Sequence, residues 1–200
     1  MDILRIILAA FAGYLLGSAN ASLIVGKFYG VDVRKHGSGN AGATNTLRTL
    51  GKKAAILVGL GDVLKGVAAC ILGLIIAGDA GLMAGGAGAV LGHNWPVFFG
   101  FKGGKGIFTT FAVILMMDWR IGLILLGLFI IIVAITRYIS LGSVICAVLF
   151  PVVGVLLGKN AEFIIFAALL GLLAVERHKT NISRLLNGTE SKFSLSKKKE

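Results

Sequence analysis

Seven apolar segments, joined by short basic or glycine-rich connections, restrict the solvent this chain can fold in. They run at about 3–26, 54–77, 82–99, 106–117, 121–136, 139–158 and 163–175. The first, second and sixth reach the roughly 20 residues that a helix needs to span hydrocarbon. The fourth and seventh are short, so five or six spans are compatible with the pattern as well. Composition agrees, because 56% of the 200 residues are hydrophobic and only 14% charged, too few charges for a soluble domain. The expected fold is an all-α integral membrane protein of about seven transmembrane helices. Residues 1–190 are expected to form a single polytopic membrane domain, followed by a basic, disordered cytoplasmic tail at 191–200 whose Lys197, Lys198 and Lys199 can touch anionic lipid.

The net charge of +11 is informative by position, since basic residues set membrane orientation. With the N-terminus outside, the alternating connections place Lys27, Arg34, Lys35, Arg48, Lys52, Lys53, Lys102, Lys105, Arg137 and the tail from Arg177 onward inside. Only Arg5, Arg120 and Lys159 fall outside. An N-out, C-in arrangement follows, and it makes every polar, glycine-rich loop cytoplasmic. Ala19-Asn20-Ala21 imitates a signal-peptidase site, but cleavage there would put the basic loop outside, so the first segment reads as an uncleaved span.

Chemistry is concentrated in those connections. The stretch from Leu91 to Gly106 breaks at Pro96 and ends in Lys102-Gly103-Gly104-Lys105-Gly106. Glycines let backbone N–H groups converge on one point, and two lysines add charge, so the loop reads as an anion nest. It is not a nucleotide P-loop: Gly100 precedes Gly104-Lys105 by three residues rather than four, and Gly106 stands where Ser or Thr is needed. Taken alone, it is equally well a basic turn that orients its helices. The earlier connection, His36 to Arg48, carries Gly37, Gly39 and Gly42 in a G-x-G-x-x-G pattern, with no strand before it and no room for a βαβ unit. What remains is Ser38, Asn40 and Asn45 as hydrogen-bonding groups and Arg48 as a fork for phosphate.

Other polar residues read more plainly. Asp62 and Lys65 share a helical face and are expected to pair in support of the loops. Gly81, Gly85, Gly88 and Gly92 form a small-residue stripe for helix packing. Ser140 and Ser143 follow Arg137 near the inside face, where serines usually bond to the preceding turn. His178, Asn181 and Arg184, spaced by three, would share a face if the last helix continues. Cys70 and Cys146 are isolated in apolar runs and read as small hydrophobes.

Three of these motifs occur together: Gly37 through Asn45 with Arg48, Gly92-His93 through Gly106, and Arg177-His178 with Asn181, Arg184-Leu185-Leu186 and Gly188. In this order the chain resembles the bacterial acyl-phosphate:glycerol-3-phosphate acyltransferase family (PlsY), from about Tyr14 to Glu190, with Asp62, Lys65-Gly66 and Arg137–Ser143 fitting too. The resemblance implies a membrane acyltransferase moving a fatty acyl group from acyl phosphate to the 1-hydroxyl of sn-glycerol 3-phosphate, giving lysophosphatidic acid and phosphate. It further implies a multi-pass protein of the bacterial inner membrane and a soluble acyltransferase supplying the acyl phosphate. Neither cofactor nor metal nor nucleic acid is expected. By the same resemblance Ser38, Arg48, Lys105, His178 and Asn181 are the catalytic positions, while Asn40, Gly103, Gly104 and Ser143 bind substrate. An acyl phosphate is already activated, so orientation and charge stabilisation can supply most of the rate without an acyl-enzyme. His178 as base and a substrate phosphate as proton acceptor remain alternatives. The competing classes are a transporter of phosphorylated solutes, whose site would normally lie near the midplane with internal repeats, and a transferase using another activated lipid.

Overall fold

A computed structural model describes residues 2–193; the lysines proposed to touch lipid, Lys197, Lys198 and Lys199, lie outside the described residues. The chain divides into two compact units, 1–117 and 118–200. The first contains α1 (Ile3–Ser18), α2 (Ala21–Phe28), α3 (Ala43–Leu50), α4 (Lys52–Asn94) and α5 (Ile107–Met117). The second contains α6 (Trp119–Thr136), α7 (Ile139–Leu156), α8 (Ala161–Arg177) and α9 (Lys179–Leu186). No strand occurs among the described residues. Helices are the expected solution in lipid, where every backbone polar group must be satisfied within its own segment. Among the described residues, four stretches are long and apolar enough to cross a membrane: Ile3–Phe28, Lys52–Phe99, Trp119–Thr136 and Ile139–Leu156. Outward-facing Ile75, Ile135 and Leu156 are each at least 75% exposed, a surface suited to acyl chains rather than water.

In the first unit α4 is a hairpin rather than a rod. Ala77 (φ −145°, ψ 24°) and Gly78 (φ 63°, ψ −149°) leave helical geometry, and the following arm folds back along the preceding one. Gly78 supplies the left-handed turn at no Cβ cost. A Cβ on Gly73 would strike the Gly81 carbonyl, and one on Gly85 would lie 2.5 Å from the Ala69 oxygen. The helix α1 runs alongside the second arm in the same direction: side chains on Gly13, Gly17, Gly88 or Gly92 would enter the backbone of Gly85, Ala89, Ala10 or Tyr14, respectively. The small-residue stripe is therefore a packing surface, as its spacing indicated. Across from α1, α5 packs on both arms, with Ala112 opposite Gly66 and Val113 opposite Gly86.

The first apolar segment is not one helix. It breaks between Ser18 and Ala21, where the Asn20 Oδ1 caps α2 by accepting from the Leu23 N–H at 3.2 Å. The Asn20 amide, fully buried, also donates to Ala41 O (3.4 Å) and His93 O (3.5 Å). A short amide in an apolar run competes with the helical ladder, and here it bonds both polar loops instead. The loops on either side of α3, and the one between α4 and α5, consequently pack at one end of this unit.

In the second unit, α6, α7 and α8 pack in sequence. A Cβ on Gly142 would lie 3.0 Å from the Phe129 ring, and one on Gly171 2.5 Å from Ala147 O. Phe150 and Phe163 meet edge to face with centroids 5.8 Å apart. At one end Asp118 caps α6 and pairs with Arg120 (2.8 Å) and Lys159 (2.5 Å). The Arg120 hydrogen bond foremost, outweighing burial and aided by Lys159, holds its carboxyl well below the usual carboxylate range. At the other end the Phe193 N–H donates to Arg137 O at 2.6 Å and Lys192 stacks over Tyr138, so the first residues after 190 are attached to this unit.

Candidate active site

The first unit gathers the Gly37–Asn45 loop, Arg48 and the glycine–lysine loop at one end. Asn45, fully enclosed, organises the first of these: its Nδ2 donates to Val33 O (2.9 Å) and His36 O (3.1 Å), and its Oδ1 accepts from the Ser38 N–H (2.8 Å). That leaves Ser38 on an exposed turn shaped by Gly37 and Gly39, both with positive φ. Asn40 is half-buried beside it, and Arg48 is exposed in the last turn of α3.

The glycine–lysine loop folds over the end of α4. A Cβ on Gly104 would strike both His93 Nε2 and Ala41 O, and one on Gly103 would strike His93 O. These glycines allow the two loops and the helix end to touch. Their N–H groups are already engaged, Gly103 with Asn94 O (3.2 Å) and Gly104 with His93 O (3.1 Å). In this structure the two amides thus tie the loop to the end of α4. Further cationic and donor groups here are Lys102, Lys105 and the first turn of α5, whose leading N–H groups have no acceptor within the helix.

Beneath the loop lies a buried ionic cluster that sequence spacing captured only in part. Lys65 Nζ is 2.9 Å from Asp62 Oδ1, the expected pair, and also 2.9 Å from His93 Nδ1. His93 and Asp62 approach to 3.3 Å, and all three side chains are less than 10% exposed. The hairpin turn at Gly78 brings His93 to Lys65, which no local spacing could announce. Since the other ring edge of His93 faces Gly104, the cluster forms the floor of the glycine–lysine loop.

The second unit holds the remaining candidates. The expected stripe of His178, Asn181 and Arg184 is interrupted, because α8 ends at Arg177 and α9 starts at Lys179. His178, at the junction and buried, has Nδ1 2.7 Å from Ala174 O. A carbonyl only accepts, so Nδ1 is the donor in this contact. Asn181 Nδ2 donates to Glu190 Oε1 (2.7 Å), where Ser140 Oγ also donates (2.8 Å), while Arg184 Nε donates to Glu190 Oε2 (2.7 Å). Burial alone would raise the Glu190 carboxyl, but Arg184, Asn181 and Ser140 outweigh it and hold it below the usual range. Sequence reasoning does not single out Glu190; its only signal is an acidic residue in a predominantly basic tail. Ser143 Oγ donates to Ile139 O at 3.0 Å, the ordinary bond of a serine in a membrane helix. Among the described residues no group of three or more His, Cys, Asp or Glu could hold a metal ion.

Fold and site together define an integral membrane protein whose polar loops present cations and backbone donors for anionic ligands. Residues 7–188 match the family model described as glycerol-3-phosphate acyltransferase, and the chain belongs to that family. Among similar curated proteins are glycerol-3-phosphate acyltransferases of a Thermoanaerobacter species, 44% identical with 94% of this chain and 95% of that one covered, and of Clostridioides difficile, 46% identical with 96% and 98% covered. The fold is similar to crystal structures of PlsY (YgiH), an integral membrane glycerol 3-phosphate acyltransferase. Its glycerol 3-phosphate form superposes with a TM-score of 0.90 at 37% identity, covering 94% of this chain and 96% of that one. Its lysophosphatidic acid form gives 0.87 at 36%, covering 96% and 97%.

Proposed function

We propose that this chain transfers a fatty acyl group from acyl phosphate to the 1-hydroxyl of sn-glycerol 3-phosphate, releasing lysophosphatidic acid and phosphate. The observation that carries the reading is the seating of a two-lysine loop and the start of α5 on the Gly37–Asn45 loop, at one end of an apolar helical unit. Two anionic substrates must be brought together there, one with a chain that stays in lipid. The related acyltransferases and the glycerol 3-phosphate form of the similar structure support the acceptor.

Arg48 and Lys105 neutralise substrate phosphate and the charge that develops as the acyl–phosphate bond breaks, with Ser38 and Asn40 as additional hydrogen-bond partners. Gly103 and Gly104 serve by shape, keeping the loop low over His93. The acceptor hydroxyl oxygen bonds to the acyl carbon, the carbon–oxygen bond to phosphate breaks, and the hydroxyl proton is taken by a substrate phosphate oxygen or by a histidine base, for which His178 is the candidate. Asn181 and Ser143 complete the polar set. The chain acts as one polytopic domain of the bacterial inner membrane, crossing about seven times with its N-terminus outside and C-terminus inside, and receives acyl phosphate from a soluble acyltransferase.

Purified protein incubated with palmitoyl phosphate and labelled glycerol 3-phosphate is expected to form labelled lysophosphatidate. Product with palmitoyl-CoA but not palmitoyl phosphate would replace the donor. Proteoliposomes that take up glycerol 3-phosphate and form no product would support transport instead.

A further inference from the structure

The connection from α4 to α5 contains a backbone feature unexplained by anion binding. Gly100 (φ 66°) and Phe101 (φ 58°) both occupy the left-handed region, and Phe101 is one of two non-glycine residues with positive φ among those described. A Cβ makes that conformation unfavourable, so it persists only where its surroundings hold it. Within the loop the Phe101 N–H donates back to Pro96 O at 3.0 Å; the side chain that holds the turn from outside comes from the other loop. Arg34 Nη1 donates to Phe99 O at 2.9 Å and to Lys102 O at 3.3 Å, the carbonyls on either side of the left-handed pair.

Arg34 is itself fixed. Asp32 Oδ1 accepts from Arg34 Nε (3.0 Å) and from the Arg34 backbone N–H (3.0 Å), and Asp32 Oδ2 accepts from Nη2 (2.9 Å). A planar fork can face a carboxylate on one edge and two carbonyls on another; an ammonium cannot match both. The residues immediately after the clamped turn are Gly103, Gly104 and Lys105.

We propose that Arg34, anchored by Asp32, is a positioning residue for acyl transfer: it clamps the strained Gly100–Phe101 turn and so places Lys105 and the start of α5 for the phosphate of glycerol 3-phosphate. The consequence for turnover rests on the acyltransferase reading; the consequence for the loop does not. Arg34→Gln removes both carbonyl contacts. The clamp predicts a KM for glycerol 3-phosphate raised about tenfold, with kcat changed by less than about threefold, because a displaced loop costs binding before it costs chemistry. Arg34→Lys should resemble it, and Asp32→Asn, which leaves the guanidinium in place, should shift KM the same way by less.

The discriminating variant is Phe101→Gly. Glycine adopts the left-handed turn unaided, so in the Arg34→Gln background it should recover at least about threefold of the lost kcat/KM. Alone it should remain within about twofold of the unaltered protein. A general structural role for Arg34 would give no such rescue. Hydrogen–deuterium exchange supplies an arm independent of activity: amides of 97–106 should exchange about tenfold faster in Arg34→Gln, or in Asp32→Asn if the former does not fold, while α1 is unchanged. An unchanged KM in a folded Arg34→Gln protein, absence of rescue, or unchanged exchange across 97–106 would each overturn the clamp. Failure of the unaltered protein to make lysophosphatidate would sink the functional reading while leaving the exchange result to decide the clamp.

Discussion

Individual side chains set the sharpest expectations. Lys105 lies at the entry to α5, beside first-turn amides that have no acceptor within the helix, so Lys105→Ala should cut turnover by about 10²–10³, the scale for one preorganised charge-stabilising group. Arg48→Lys should also be damaging, because an ammonium lacks the planar fork; near-wild-type rates in both folded variants would put the anion site elsewhere. Ser38 sits on an exposed turn whose backbone is tied to Asn45, with His36 the nearest histidine in sequence. A serine nucleophile needs an adjacent base, while acyl phosphate is reactive without one. Protein exposed to labelled acyl phosphate alone, then denatured and mass-analysed, should carry no acyl-serine; a stoichiometric adduct discharged by glycerol 3-phosphate at the turnover rate would reverse this. Glu190 makes a pH prediction. Its folded carboxyl titrates below its unfolded value, so its stabilisation is present above the ordinary glutamate value of about 4.3 and is lost as pH falls through the folded one. Glu190→Gln should abolish that acid-side slope in thermal melts of the detergent-solubilised protein and cost of order 1–3 kcal/mol at neutral pH.

Helices meet here through absent side chains. At Gly13 an added Cβ would overlap the Gly85 carbonyl and lie 2.7 Å from its carbon, whereas at Gly127 on α6 nothing lies within 4 Å. Gly13→Val should therefore force α1 off the second arm of α4, costing about 1–3 kcal/mol or more, and lower the melting temperature. Gly127→Ala should leave it unchanged or raise it by improving helix propensity. Equal melting temperatures for the two variants would mean that α1 does not pack through Gly13. The same logic explains α4: its two arms need Gly78 to reverse and Gly73, Gly81 and Gly85 to close, and only the closed hairpin carries His93 to Lys65.

For the whole molecule the testable quantity is orientation. Within the first unit, the basic residues from Lys27 to Lys53, with Lys102 and Lys105, belong to the loop end, while Arg5 begins the helix that runs alongside the second arm from the Gly78 turn. Within the second, Arg120 and Lys159 share the Asp118 end, and Arg137, Arg177, Lys179, Arg184 and Lys192 the opposite one. Each unit thus separates few from many basic residues, which the charge rule turns into a membrane direction. Single cysteines at Thr44, Lys102 and Thr189, in a background lacking Cys70 and Cys146, are each expected to resist an impermeant thiol reagent in intact cells and to react after permeabilisation. Labelling of all three in intact cells would invert the assignment.

Hydropathy, glycine spacing and helical periodicity made the helical membrane class, the small-residue packing stripe and the Asp62–Lys65 pair legible from residues alone, because each depends on local pattern; the Ser38, Arg48, Lys105, His178 and Asn181 set rests on the family resemblance and is carried here as a proposal. Other features depended on contacts between residues distant in the chain. The Asn20 break joins residues 20, 41 and 93; the ionic cluster joins 62, 65 and 93; the Glu190 centre joins 140, 181, 184 and 190; and Arg34 reaches 99 and 102. Even Gly103 and Gly104, prominent in sequence as an anion nest, turned out to direct their N–H groups to His93 and Asn94. A glycine in sequence states only that backbone can approach or turn there. Which partner takes the approaching N–H is a tertiary matter, because the acceptor is supplied by whichever helix end the fold brings within 3 Å or so.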